Sequence, residues 1–174
     1  MLHEELDQVI GPTCLPDIED KNNLPFVEAT ITETLCISSV IPLSVPRKTT
    51  VCTTLQGYHI PKDTTVLAKV WSFHHNPDIW DAPNDFRPQR FLDKDGKFVP
   101  PSADHFIPFG IGLRDCLGAS MTMVELYLVL ARMLHSFELE NPPACDLPSL
   151  EPGTQGLALG PKPFKFCTIK RHDV

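Results

Sequence analysis

Apolar positions follow a helical beat in two stretches of this chain and a two-residue beat between them. In the first stretch Phe26, Thr30, Ile31, Thr34 and Leu35 recur at helical spacing behind Pro25, whose fixed φ and missing N–H suit a first helical turn; a helix is predicted near 25–38. Val51 to Ala68 alternates instead and contains Gln56-Gly57-Tyr58-His59-Ile60-Pro61, the pattern of short strands around a turn. From Leu117 onward Met121, Val124, Leu128, Ala131 and His135 make one face, and Met123, Tyr127, Leu130 and Leu134 another, which predicts a long helix packed deeply on two sides. Of eighteen prolines, fifteen fall in residues 42–108 and 142–163 and restrict those regions to loops and short strands. The expected fold is mainly α with a small antiparallel sheet (α+β).

Composition narrows the function classes. With 42% hydrophobic and 21% charged residues, 174 residues suffice for one core. A net charge of −7 argues against a nucleic-acid partner, which calls for a basic patch or stripe. No apolar run reaches membrane-spanning length, and residues 1–10 mix His, Glu, Asp and Gln, so neither an anchor nor a signal peptide is expected within these residues. The cysteines at 14, 36, 52, 116, 145 and 167 include no Cys-x-x-Cys pair, and reduced thiols are expected. His74 and His75 are adjacent and point in different directions with no third ligand at matching spacing, which disfavours a metal site there. His105 and the run Asp93-Lys94-Asp95-Gly96-Lys97 are expected in exposed turns.

The strongest chemistry lies in Phe109-Gly110-Ile111-Gly112-Leu113-Arg114-Asp115-Cys116-Leu117-Gly118. A lone cysteine is also at home as a small buried hydrophobe. Here it stands just ahead of a helical segment, whose unpaired N–H groups and positive dipole end favour a thiolate, so its pKa is expected to fall, with Asp115 opposing Arg114. Glycines let a flat ligand approach the loop, and the fork of Arg114 matches a carboxylate.

Phe-Gly-x-Gly-x-Arg-x-Cys-x-Gly, with six of ten positions fixed, resembles the haem-ligand loop of the cytochrome P-450 monooxygenases. Other segments resemble that family in the right order. Leu2 to Gly11 looks like the helix preceding its Glu-x-x-Arg helix, which Glu33-Thr34-Leu35 begins; Pro46-Arg47 looks like a strand start near a haem propionate; Phe86-Arg87-Pro88-Gln89-Arg90-Phe91 matches its Pro-x-Arg-Phe element. Within the family, Leu43 to Pro46, Trp71 to His75, Leu147 to Glu151 and Lys162 to Lys165 resemble the microsomal steroid 17-alpha-hydroxylase/17,20-lyase-like members. Residues 1–174 are therefore expected to form one partial domain, the C-terminal third or so of the family fold: Glu-x-x-Arg-type helix, small sheet, meander, Cys-ligand loop, long helix and C-terminal hairpin.

The resemblance implies haem b with Cys116 as axial ligand to iron and as the catalytic and metal-binding residue. It implies Arg114 and Arg47 on the propionates, Phe109 beneath the porphyrin, Gly110 and Gly118 at its approach, and a structural charge pair between Glu33 and Arg90. Val40, Ile41, Leu43, Val45 and Leu157 are the implied substrate contacts, each of them also at home in an ordinary core. The implied activity inserts one oxygen atom from O2 into a lipophilic, steroid-like substrate with electrons from NADPH-cytochrome reductase or another donor. The implied location is the endoplasmic reticulum membrane, through an anchor outside these residues. Two departures stand out: Cys36 occupies the arginine position of Glu-x-x-Arg, and Met121 and Met123 stand where many members present basic residues to a reductase. Loss of one member of a buried charge network costs ~3–5 kcal/mol, so weakened haem retention is expected. The rival expectation is a catalytically inactive chain that binds haem inertly or binds a partner.

Overall fold

A computed structural model describes residues 1–149, 151–154 and 156–172; Leu150, within the expected C-terminal hairpin, lies outside the described residues. Among the described residues four α-helices carry the fold: α1 Leu2–Val9, α2 Pro25–Ser38, α3 Val70–His74 and α4 Ala119–Ser136. Helix α2 takes the predicted bounds, with Pro25 in its first turn and Ser39 in a left-handed conformation (φ 39°) at its end.

No side chain at the start of α2 caps it. Glu5 of α1 does so from 21 residues upstream: its two carboxylate oxygens accept the Phe26 N–H at 2.8 Å and the Val27 N–H at 3.0 Å. Capping and the helix dipole together contribute about 1 kcal/mol. Burial pushes the Glu5 carboxyl above its ordinary range, against the pull of those two N–H groups.

Leu6, Leu24, Val27, Ile31, Tyr127, Ala131 and Leu134 form the core where α1, α2 and α4 meet. Three polar latches hold α4 over the loop after α1. The Tyr127 hydroxyl donates to the Asp17 carbonyl at 3.1 Å, Arg132 Nε to the Pro16 carbonyl at 2.8 Å, and His135 Nε2 to the Gly11 carbonyl at 2.8 Å. Burial pushes the Tyr127 phenol up to about 12.

Both apolar faces predicted for α4 reach the core, Ala131 and His135 from one and Tyr127 and Leu134 from the other. Tyr127, Ala131, Leu134 and His135 are buried, whereas Met121 and Val129 are 68% and 65% exposed. Helices α1 and α2 cover one side of α4, and the other side is open among the described residues.

Among the described residues the expected small sheet is four separate antiparallel ribbons. Strand β1 (Arg47–Lys48) pairs with β4 (Thr65–Val66), and β2 (Thr53–Leu55) pairs with β3 (Tyr58–Ile60) around Gln56 and Gly57, both at positive φ. Strand β5 (Phe137–Glu140) pairs with β8 (Cys167–Lys170), and β6 (Pro152–Thr154) with β7 (Gly160–Pro161). These strands are two to four residues long, and prolines without an N–H interrupt the surrounding chain, so wider ladders do not develop among the described residues. No helix among the described residues is long and apolar enough to cross a membrane.

Candidate functional site

The segment around Cys116 is tied by its own backbone. The Gly110 N–H donates to the Ile107 carbonyl at 3.0 Å, the Asp115 N–H to the Gly112 carbonyl at 3.1 Å, and the Cys116 N–H to the Phe109 carbonyl at 2.8 Å. Gly112–Arg114 makes one turn of 3-10 helix. Gly110 (φ 81°) and Gly112 (φ 77°) adopt left-handed angles that side chains resist. Gly118 has φ −88° and needs no such freedom. A Cβ there would stand 3.8 Å from Cys116 Sγ and 4.0 Å from Thr122 Oγ1, so its glycine leaves space open beside the sulfur. Helix α4 starts at Ala119, whose N–H donates to the Cys116 carbonyl at 3.1 Å.

With its backbone committed, the loop leaves its side chains uncommitted. Cys116 and Arg114 are exposed, Phe109 is half-buried, and Leu113 and Leu117 are bare, at 101% and 103% of their reference areas. Arg47 reaches across from β1, its Nη2 donating to the Arg114 carbonyl at 2.8 Å. Two guanidinium-bearing residues are thereby joined at one place, and among the described residues neither has a carboxylate partner.

A buried polar layer lies beneath. Glu33 Oε1 accepts the Arg87 N–H at 2.7 Å, and Oε2 stands 3.1 Å from Arg90 Nε, an ion pair without hydrogen-bond alignment. The remaining Arg90 nitrogens donate to the carbonyls of Asp81, Ala82 and Asp85, wrapping the meander around the guanidinium. Arg87 also pairs with Asp81 at 2.6 Å. Arg90 and Phe91 sit on a single 3-10 turn, Pro88–Phe91, that packs on α2.

Cys36, one helical turn after Glu33, is buried and donates its S–H toward the His74 carbonyl at 3.8 Å. Burial, reinforced by the Glu33 charge and opposed by Arg90, pushes this thiol up to about 12. It is neutral at physiological pH and adds no charge to the Glu33–Arg90 pair.

His74, which sequence weighed only as a metal ligand, is fully buried between α2 and the approach to the Cys116 loop. Ile107 donates its N–H to Nε2 at 3.1 Å, Ser39 Oγ lies 2.9 Å from Nδ1, and that hydroxyl donates to the Cys36 carbonyl at 3.0 Å. Burial lowers the imidazole to about 4. Ile107 is 33 residues away in sequence, and no local spacing announces the contact. His75 instead stacks on Trp71 at 4.2 Å. His105 is exposed, as is Asp93-Lys94-Asp95-Gly96-Lys97.

Val40, Ile41, Leu43 and Val45 follow α2 as an apolar ledge held from behind. The Ala68 N–H donates to Ser44 Oγ at 3.2 Å and the Trp71 N–H to the Pro42 carbonyl at 3.1 Å. The Leu159 N–H donates to the Val40 carbonyl at 2.8 Å, which brings the Leu157 segment alongside. Val40, Leu43, Val45 and Leu157 are exposed and Ile41 is half-buried, so they are not ordinary core. Of the two methionines at expected reductase-facing positions, Met121 is exposed and Met123 packs half-buried against the core.

The donor set decides what fits here. One accessible thiol offers a single soft ligand, and among the described residues no three His, Cys, Asp or Glu side chains gather around a common metal position. A metal at Cys116 therefore has to bring its other ligands with it. Bare Leu113 and Leu117 call for a flat apolar cover, and two uncompensated guanidiniums call for carboxylates. Those properties are united in haem, and the residues present fit it.

The Cytochrome P450 family model matches residues 1–168. The chain is 43% identical to Cytochrome P450 2U1 of Rattus norvegicus over 170 residues, which is 98% of this chain and 32% of that protein. It is 41% identical to Cytochrome P450 18a1 of Drosophila melanogaster, across 98% of this chain and 31% of that protein. Against Steroid 17-alpha-hydroxylase/17,20 lyase of Gallus gallus the identity is 42%, across 94% of this chain and 32% of that protein. The chain spans about a third of the length of these curated relatives. Matched along nearly its full length, in sequence order and with a thiol presented on its backbone-tied loop, the chain belongs to the cytochrome P450 family.

Proposed function

We propose that the Cys116 sulfur would hold the iron of a haem b, and that this chain forms the thiolate-bearing wall of a monooxygenase acting on a lipophilic substrate. The observation that carries the reading is the accessible Cys116 thiol between bare Leu113 and Leu117, beside the joined residues Arg47 and Arg114. When bound, haem with thiolate-ligated iron supplies insertion of one oxygen atom of O2 into a C–H bond, the other leaving as water with two electrons and two protons from a donor.

The chain's own residues hold and shield that group. Arg114 and Arg47 pair with its propionates. Leu113, Leu117 and Phe109 cover its apolar rim and keep water from the sulfur, and Gly110 and Gly118 leave it room. The backbone bond from the Cys116 N–H to the Phe109 carbonyl fixes the main chain that carries the sulfur before anything binds. Glu33 and Arg90 hold the meander against α2 from below.

The ledge of Val40, Ile41, Leu43 and Val45, with Leu157, provides the substrate-facing edge. A steroid-like substrate rests on one set of relatives, the steroid 17-alpha-hydroxylase/17,20 lyases, whose identity to this chain nearly equals that of the 2U1 proteins. NADPH-cytochrome reductase or another donor supplies the electrons, and association with the endoplasmic reticulum membrane belongs to the whole protein. A second reading, an inert haem- or partner-binding chain, is favoured by uncharged Cys36 in the charge layer.

The test is the absorption spectrum of the purified chain with added haem, reduced under carbon monoxide, beside Cys116→Ser. A strongly red-shifted Soret band that disappears in the variant supports thiolate ligation. Absence of the band, or its persistence in the variant, overturns it. Turnover with a reductase and the remaining two thirds of a relative's chain separates the enzyme from the inert reading.

A further inference from the structure

The proposed function makes no use of His74, yet its ring is wholly buried and both of its nitrogens are engaged by different parts of the fold. A backbone N–H only donates, so Nε2, facing Ile107 N–H at 3.1 Å, carries no proton. The ring proton is on Nδ1 and points to Ser39 Oγ, 2.9 Å away at the end of α2. Ser39 in turn donates to the Cys36 carbonyl, and the Cys36 thiol donates to the His74 carbonyl. Phe106 covers the ring, with centroids 5.6 Å apart.

Ile107 is the stem of the Cys116 loop. Its carbonyl accepts the Gly110 N–H, and two residues further on the Phe109 carbonyl accepts the Cys116 N–H. The pinned amide thus stands one bonded turn from the amide of Cys116. An imidazole suits the place because it presents an acceptor and a donor from opposite sides of one rigid ring.

We propose that His74 is a positioning residue for Cys116, its Nδ1-protonated imidazole pinning the Ile107 stem of the thiolate loop to helix α2. The role rests on Cys116 being the haem ligand, whereas the pin itself belongs to the chain without haem. The two are therefore separable by experiment.

The experiment is amide hydrogen exchange, read by NMR on the 174-residue chain without haem and on His74→Leu and His74→Gln. The leucine variant is expected to accelerate exchange ~10-fold or more at Ile107, Gly110 and Cys116, while Tyr127 and Leu134 in α4 stay unchanged. The glutamine variant, which returns an acceptor, is expected to restore slow exchange at Ile107. After haem addition, the share of red-shifted Soret absorbance should follow the order wild type, Gln, Leu. Equal acceleration at both sets of amides, no acceleration, or no rescue overturns the pin.

If His74→Leu does not fold, Ser39→Ala decides. Loss of the Nδ1–H signature in the ring 15N spectrum together with faster Ile107 exchange supports the pin, and an unchanged spectrum and exchange rate overturn it. A local exchange pattern without any Soret band retains the pin and removes Cys116 as ligand. A band without the pattern does the reverse.

Discussion

The layer under the Cys116 loop and the loop's own surface follow opposite rules. Below, Glu33, Arg90, Cys36, Ser39 and His74 are buried or nearly so, with most of their polar atoms spoken for. Above, Cys116, Arg114, Leu113 and Leu117 are exposed, and only the backbone between them is bonded. Rigidity is supplied from beneath so that chemistry is left available on top, the division that a preorganised site requires.

Breaking the lower layer is expected to have the largest effect. Glu33→Ala leaves Arg90 buried without its counter-charge and Arg87 N–H without an acceptor, and should destabilise the chain by ~3–5 kcal/mol in urea unfolding. A loss under about 1 kcal/mol would assign this layer the weight of an exposed ion pair and erase the contrast.

Next comes pH. The folded chain holds His74 at about 4 against an ordinary 6.5, so on acidification the unfolded chain takes up the proton first. His74 therefore stabilises the fold fully above about 6.5, and that contribution, on the order of 3 kcal/mol, is lost as pH falls toward 4. Glu5 and Glu28, raised by burial, titrate with the opposite sign. Subtracting the unfolding midpoints of His74→Gln from those of wild type between pH 7 and 4 isolates the imidazole. A difference independent of pH would contradict its burial as a neutral ring.

Cys36→Arg tests the gap in the charge layer. Glu33 Oε2 has no aligned donor, and an arginine one turn along α2 would supply one. Haem occupancy is expected to rise, with stability increasing by ~1–2 kcal/mol, the scale of a charge-assisted hydrogen bond. Unchanged occupancy by haem titration would show that the layer is complete without it.

The smallest effect on the fold is expected at the upper surface. Leu113→Ser with Leu117→Ser should alter stability by less than about 0.5 kcal/mol, since nothing is unpacked. Haem retention should nonetheless fall, measured as the rate of haem transfer to an apo-globin acceptor. Equal retention would remove these leucines from the cover.

The sequence made some of this legible and hid the rest for identifiable reasons. The bounds of α2 could be read because Pro25 and the periodicity of its apolar residues act locally. The Cys116 loop could be read because its glycines and cysteine lie within ten residues. Which positions of α4 stay open, Met121 and Val129 among them, could not be, because only the placement of α1 and α2 decides where the cover ends. Nor could the division into ribbons, since pairing such as β5 with β8 is settled across the intervening residues 141–166. His74 stayed hidden for the same reason: its role is defined by Ser39 and Ile107, which flank it at 35 and 33 residues.

The carboxylate of Glu5 at the start of α2 has a consequence for the order of assembly. During synthesis α1 leaves the ribosome before α2, so the acceptor for the first free amides of α2 is already present when that helix emerges. Helix nucleation is the slow, unfavourable step of helix growth. A nascent α2 thus meets a ready-made starting point on its predecessor, and the helix that carries Glu33 and Cys36 can form before the meander or the thiolate loop has been made.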